Sequence, residues 1–340
     1  DSARSNQRTK TTLSLARTTL LGVRMRALVT GVAGFIGSSL AEMLIARDTD
    51  VIGVDCFTDY YHRSIKEDNL SKLLSKSRFH FTELNLLNCN VAELLKGVTH
   101  VFHLAAQAGV RRSWGQDFSI CTSLNIDVTQ ALLDACVHQP IERFVYASSS
   151  SVYGNQVDLP MREDALPRPV SPYGVTKLAG EQLCLLYHLN HDVPAVALRY
   201  FTVYGPRQRP DMAFHRFLKA AIDGTPVHLY GDGQQTRDFT FVDDIVTATM
   251  TAATAGIPGR VYNVGGGSRV SMNQVIELIA KITDSSLEIN RDVTQSGDMR
   301  DTYADITLAR NDLGFDPTVA LPDGLRAQHE WLSRHNGFSS

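Results

Sequence analysis

Cysteine is scarce in this sequence: five in 340 residues, at Cys56, Cys89, Cys121, Cys136 and Cys184, with no CxxC pair and no zinc-type spacing. Each lies in an apolar or helical stretch. The expectation is buried free thiols, no disulfide framework and no metal centre, in keeping with a reducing cytoplasm. Long hydrophobic runs are missing too, since none reaches the ~20 residues that span a bilayer. Charge of one sign is also lacking: 33 Lys and Arg stand against 36 Asp and Glu, a formal net of -3. No basic block is interleaved with aromatics, so neither nucleic acid nor a membrane is an expected partner. Small anions stay open, because a few well-placed arginines bind them without a basic protein. What remains is a globular composition, 43% hydrophobic and 20% charged, long enough for one large domain or two ordinary ones.

Residues 1–24 stand apart. They are rich in Ser, Thr and Arg, and their weakly apolar stretch is interrupted by Arg17. We expect a disordered extension ahead of a natural start at Met25, with a transit or membrane-surface peptide as the alternative. The lack of a good cleavage site argues against secretion.

From residue 26 short apolar runs alternate with helical patterns. Strands are expected at 26–30, 51–55, 79–82, 101–104, 143–148 and 195–200, with a first helix at 35–47. Apolar strands alternating with helices indicate a parallel sheet covered on both faces, the doubly wound α/β (Rossmann) arrangement. After Tyr200 the rhythm changes, with prolines at 206, 210 and 226, a helix at 213–223, a turn at 230–233, a helix at 243–255 and a strand at 261–264. This divides the chain into a nucleotide-binding domain, 25–200 with 238–266 returning to it, and a smaller C-terminal substrate-binding domain, 201–237 with 267–336.

Gly31, Gly34 and Gly37 form a Gly-x-x-Gly-x-x-Gly string between the first strand and the first helix. Glycines there permit a tight turn and let the backbone approach a pyrophosphate at the helix N-terminus. Asp55 ends the second strand, where a carboxylate accepts hydrogen bonds from a ribose diol and repels a 2'-phosphate. NAD is therefore expected over NADP. Asn85 and Leu86, after the third strand, are candidates for the adenine edge.

Tyr173 and Lys177, four residues apart, fall on one face of a helix. A free phenol titrates near pH ~10, and a neighbouring ammonium favours phenolate, which makes Tyr173 a candidate base. Upstream, Ser148 to Ser151 close a strand at the sheet edge where ligands bind. His103 ends another strand and reads as a packed core histidine.

These residues carry a resemblance. The chain, from about residue 26 to 331, resembles the extended short-chain dehydrogenase/reductase family of nucleotide-sugar epimerases and dehydratases. The resemblance rests on the glycine string, His103-Leu-Ala-Ala-Gln107, Ser149 with Tyr173-x-x-x-Lys177, and Arg237-Asp-Phe-x-x-Val242. It implies that Ser149, Ser150, Ser151, Tyr173 and Lys177 form the catalytic group, that Lys177 binds the nicotinamide ribose, and that NAD stays bound through turnover. It further implies cofactor contacts at Phe35, Ile36, Leu104, Ala105, Ala106, Gln107 and Tyr200, beside those named above. The resembling dehydratases carry an Asp-Glu pair just after the Ser/Thr, and decarboxylating relatives a Glu. Ser150 and Ser151 supply no carboxylate there, which favours plain 4-epimerisation.

The segment from Arg199 to Ala213 resembles that of UDP-glucuronate 4-epimerases, in which the matching Thr and second Arg hold the sugar carboxylate. By that resemblance Thr202 and Arg209 do so here, with Met212 and Ala213 beside them. Arg209 suits the task because its planar fork donates two parallel hydrogen bonds. Gln208 stands where a Gly is common. Arg237 and Arg300 are candidates for the diphosphate, and Arg111 for the phosphates or the sugar. The expected reaction is UDP-glucuronate to UDP-galacturonate through a 4-keto sugar. A UDP-glucose/UDP-galactose 4-epimerase, a UDP-glucuronate decarboxylase and a non-catalytic NAD sensor are the alternatives. Amphipathic helices at 118–138 and 172–190 allow a homodimer through a four-helix seam.

Overall fold

The computed structural model describes residues 24–155, 158–293 and 297–335. All but the last residue of the extension expected at 1–24 lies outside them.

Seven parallel strands form the central sheet. Their order across it is Val261–Val264, Ala195–Tyr200, Arg143–Ser149, His100–His103, Arg26–Thr30, Asp50–Asp55, Phe79–Glu83. The doubly wound sheet expected from the strand rhythm is thus present. Alternate residues of each strand enter different cores: Ala27, Val29, Val145 and Val196 pack on one face, Leu28, Phe144, Tyr146 and Ala195 on the other. Helices Phe35–Ala46 and Val242–Ala255 cover the first face. Val128–Cys136 and Pro172–His191 cover the second. Because both faces are buried, the strands read as apolar runs without a polar side. The order reverses between Arg26–Thr30 and His100–His103, and the crevice beyond the strand ends at such a switch is where this architecture takes ligands.

The helix expected at 118–138 is present over 118–136 but widens midway. It runs as Phe118–Thr122, a wide turn at Ser123–Asp127 and a helix at Val128–Cys136. The reason is Asn125, buried inside the turn. Its Oδ1 accepts from Gln107 N at 2.7 Å, and its Nδ2 donates to Gln107 O at 3.1 Å and to Thr176 Oγ1 at 2.9 Å. Such π-type turns recur where a helix must present a side chain inward, here to fix the loop beyond His103.

Beyond Tyr200 short ladders replace the sheet. Val203–Tyr204 pairs with Thr240–Phe241, Val227–Tyr230 with Ile289–Asp292, and Thr236–Asp238 antiparallel with Arg269–Ser271. Helices Ala213–Asp223, Met272–Thr283 and Leu321–Arg334 pack together behind them. Residues 242–264 instead cover and extend the central sheet. Among the described residues no helix is long and apolar enough to cross a membrane.

Candidate active site

The Gly31–Gly37 turn shows why glycine is needed. Gly31 has φ +70, and a Cβ there would lie 2.8 Å from Ala105 N. A Cβ on Gly37 would lie 2.2 Å from the Gly31 carbonyl oxygen. Only bare backbone lets the first helix start so close to the strand ends. Gly34 caps that helix without a side-chain hydrogen bond, and its first turn holds no acidic residue. The orphan N–H groups of Phe35, Ile36 and Gly37 therefore face an open cavity with the positive end of the helix dipole behind them.

Asp55 lies along the same cavity. Its oxygens accept from Ala33 N at 3.1 Å and Phe57 N at 2.9 Å. Burial pushes its carboxyl up, against those N–H groups and the Lys66 ammonium. Each oxygen keeps a lone pair for a diol. Asn85, Leu86, Leu104, Ala105, Ala106 and Gln107 line the cavity, as do Tyr173, Lys177 and Tyr200. Asn85 Oδ1 is taken up by Leu87 N at 3.0 Å, which leaves its amide N–H to a ligand. A donor-rich helix start, a carboxylate for a diol and apolar walls between them fit a dinucleotide. His103 is a packed residue as expected: its ring bonds Thr30 Oγ1 at 2.8 Å and Thr129 Oγ1 at 2.9 Å. Burial and the Lys177 charge push its pKa down to about 3.

Ser171 caps the Pro172–His191 helix by accepting from Gly174 N at 3.1 Å, with Pro172 in the first turn. That start places Tyr173 and Lys177 together on the cavity. Their electrostatics differ from the expectation. Lys177 Nζ donates to Ala147 O at 2.8 Å, and burial pushes its pKa down to about 8. Arg209, on the same cavity, is a second cation whose charge reaches the phenol. Burial raises Tyr173 overall, against the pull of the Arg209 charge and the nearby Ser149 hydroxyl. Ser149 Oγ also accepts from Ser151 N at 3.1 Å, turning the chain just past the strand. Ser148 lines both clefts with its hydroxyl engaged, donating to Glu181 at 2.8 Å within the buried Glu181–Arg199 pair.

A second cleft joins the first at Tyr173, Tyr60, Arg209 and Tyr200. Ser149, Ser150, Ser151, Thr202, Met212, Ala213, Arg111 and Arg237 all line it. Arg209 forms a bidentate pair with Asp211 at 2.9 and 3.0 Å, and Tyr60 Oη donates to the same carboxylate at 3.2 Å. Arg111 pairs with Asp298 at 2.7 Å and stacks over the Tyr230 ring at 4.1 Å. Arg237 donates to Thr236 O at 2.9 Å, to Arg300 O at 2.8 Å and to Met299 O. Arg300 is the one proposed residue not brought in. Its side chain is 69% exposed and faces Asp232 at 3.9 Å, because its backbone carbonyl, not its guanidinium, turns inward to hold Arg237. Among the described residues no group of three His, Cys, Asp or Glu could hold a metal.

The sequence matches the description "NAD dependent epimerase/dehydratase family" over residues 27–265. The chain belongs to that family. It is 45% identical over 311 residues to a protein of Bacillus subtilis (strain 168) named as an uncharacterized UDP-glucose epimerase, YtcB, covering 91% of this chain and 98% of that one. The UDP-glucuronate 4-epimerase of Thermodesulfobacterium geofontis is 35% identical over 309 residues, 89% of this chain and 95% of its own. The crystal structure of UDP-glucuronic acid 4-epimerase from Bacillus cereus, in complex with UDP-glucuronic acid and NAD, aligns with a TM-score of 0.89 at 45% identity. That alignment covers 92% of this chain and 100% of that one.

Beside the residues read from the sequence, this epimerase/dehydratase site contains several that were not. Tyr60, Tyr61 and Lys66 wall the cofactor cavity, with Lys66 Nζ donating to Thr58 O at 2.7 Å. Arg216 lines the second cleft and sits 5.2 Å over Tyr230, opposite no carboxylate among the described residues. A signal for it existed: it falls in the first turn of a helix the sequence did show. Tyr60 and Lys66 carried no such signal.

Proposed function

We propose that the chain is an NAD-dependent UDP-sugar 4-epimerase, an isomerase that interconverts UDP-glucuronate and UDP-galacturonate without decarboxylation. One observation carries the substrate: Arg209 and Thr202 open on the same cleft as Tyr173 and Ser149. A C4 hydroxyl and the neighbouring acid group of one sugar ring can then be met together. The relatives named for UDP-glucuronate support the same reading.

NAD would be held by the N–H groups of residues 35–37, by Asp55 at the adenosine ribose and by Lys177 at the nicotinamide ribose. When bound, it supplies the hydride acceptor and then the hydride donor at C4, and its positive ring favours phenolate. Tyr173 takes the C4 hydroxyl proton and returns it, aided by the Arg209 charge, with the Ser149 hydroxyl on the same cleft. Ser150 and Ser151 offer no carboxylate, so water is not eliminated across C5 and C6. The keto-sugar turns over and receives hydride on its other face. Arg111 and Arg216 over Tyr230, with Arg237 on the same cleft, would meet the diphosphate.

Arg209 has a second task. Oxidation at C4 makes a β-keto acid, which loses CO2 when its C5–C6 bond stands perpendicular to the carbonyl plane. A carboxylate gripped by Arg209 and Thr202 is kept from that angle. Proton NMR of the sugar H4 tests both parts. Wild type should equilibrate UDP-glucuronate with UDP-galacturonate and form no pentose. Arg209→Ala should raise KM on the order of 10- to 100-fold and release a decarboxylated sugar. Wild type that turns over only UDP-glucose would sink the substrate assignment.

The assembly we propose is a homodimer. Phe118 and Ile120 on one helix, and Val175, Leu186 and Leu189 on another, are exposed apolar side chains. The last three share a face at helical spacing. Sedimentation should give twice the chain mass, and Leu186→Glu should halve it. Cytoplasmic residence is proposed on the strength of the free cysteines.

A further inference from the structure

The loop that carries Arg209 is closed by one buried side chain. Gln208 is 2% exposed. Its Nε2 donates to Val203 O at 3.0 Å, and its Oε1 accepts from His215 N at 2.9 Å and from Gln328 Nε2 at 2.8 Å. Its backbone joins in. Gln208 N donates to Gly205 O at 3.1 Å, and Gln208 O accepts from His215 Nδ1 at 2.9 Å. Gln328, 1% exposed on the Leu321–Arg334 helix, accepts from Gly205 N at 3.0 Å.

A single carboxamide therefore ties residue 203 to residue 215, and both to the last helix. Between the two ties lie Arg207 with φ +70, Arg209, Asp211 and Met212. The Ala213–Asp223 helix has Met212 at its cap position with no side-chain hydrogen bond. Gln208 supplies the missing acceptor from outside, at the third helical N–H. Arg209 is the next residue along the chain, and its side chain, braced on Asp211, meets the cleft from this fixed loop. No water competes for these bonds, because both glutamines are buried, so the geometry they set is firm.

We infer that Gln208 is a positioning residue, holding the Arg209 guanidinium at the height where it grips the sugar acid. The inference rests on the UDP-glucuronate reading above. Gly at this position would leave the Val203 carbonyl, the His215 N–H and the Gln328 amide without their partner, and the loop would no longer fix Arg209.

A double-mutant cycle on the NAD-loaded enzyme tests it. Gln208→Gly should raise KM for UDP-glucuronate about tenfold, leave kcat within threefold and release decarboxylated sugar. In an Arg209→Ala background the same change should alter KM less than twofold, because the residue it positions is gone. Should Gln208→Gly fold poorly, Gln208→Met fills the same buried space without either hydrogen bond, and the cycle is run with it. A tenfold rise repeated in full without Arg209 would overturn the assignment and leave Gln208 a purely structural residue. Wild type is assayed alongside. If it converts UDP-glucuronate and the variants are additive, the Gln208 assignment alone falls; if it ignores UDP-glucuronate, both readings fall.

Discussion

Around the Gly31–Gly37 turn the chain offers a ligand backbone N–H groups and apolar walls; in the second cleft it offers the side chains of Arg111, Arg216 and Arg237, with Arg209 at the join. The two are held ready by different means. A backbone donor is fixed by its neighbours in sequence, so the cofactor half needs only small residues and a helix start. An arginine side chain is long and loses rotamer freedom when held. The substrate half therefore braces Arg209 on Asp211 and Arg111 on Asp298, and Arg237 on the carbonyls of Thr236, Met299 and Arg300. Lys177 inverts this. It is a buried cation on the cofactor side with no carboxylate at ion-pair distance among the described residues, and burial lowers its pKa accordingly.

The largest expected effect sits where the halves meet. Tyr173→Phe should lower kcat on the order of 100- to 10,000-fold while NAD stays bound and UDP still binds, read by absorbance of the released dinucleotide and by calorimetry. Loss of NAD as well would show that the phenol also holds the cofactor half together. A smaller effect tests the unpaired ammonium. With a pKa of about 8 in the fold against 10.5 ordinarily, Lys177 binds fewer protons folded than unfolded between those values. Its contribution to stability should therefore rise with pH through this window, by about 3 kcal/mol across it, absent below and complete above. Urea melts of wild type and Lys177→Met at pH 8 and 10.5 read the difference. A flat difference would mean that the cofactor half pairs its cation after all. The smallest effect belongs to the substrate half: Arg300→Ala, on an exposed side chain, should move KM by about twofold or less. A tenfold rise would mean that Arg300 swings onto the nucleotide.

Much of the cofactor half was legible because its determinants are local. The glycine string, Asp55 at a strand end and the four-residue spacing of Tyr173 and Lys177 each need only a few residues of context. The strands at 26–30, 195–200 and 261–264 were read to the residue, since two-sided burial leaves an apolar run. The widened turn inside the 118–136 helix was not legible, because its cause is a pair of bonds between Asn125 and Gln107, 18 residues back. The outward turn of the Arg300 side chain was hidden for a related reason: a motif names the segment, and packing decides whether side chain or carbonyl turns inward. Gln208 showed in the sequence only as a departure from a common glycine. Its partner Gln328 is 120 residues away.

The amino-acid order alone determined the α/β alternation, the glycine turn and the pairing of Tyr173 with Lys177 on one helix face, because helical and strand periods are set by the backbone within a few residues. Only the tertiary structure decided that Arg209 joins Tyr173 and Lys177 on one cavity, that Arg216 lines the second cleft while the Arg300 side chain does not, and that a glutamine closes the Arg209 loop. Those outcomes depend on which distant segments share buried space, and burial sets both the geometry of a charge and its cost.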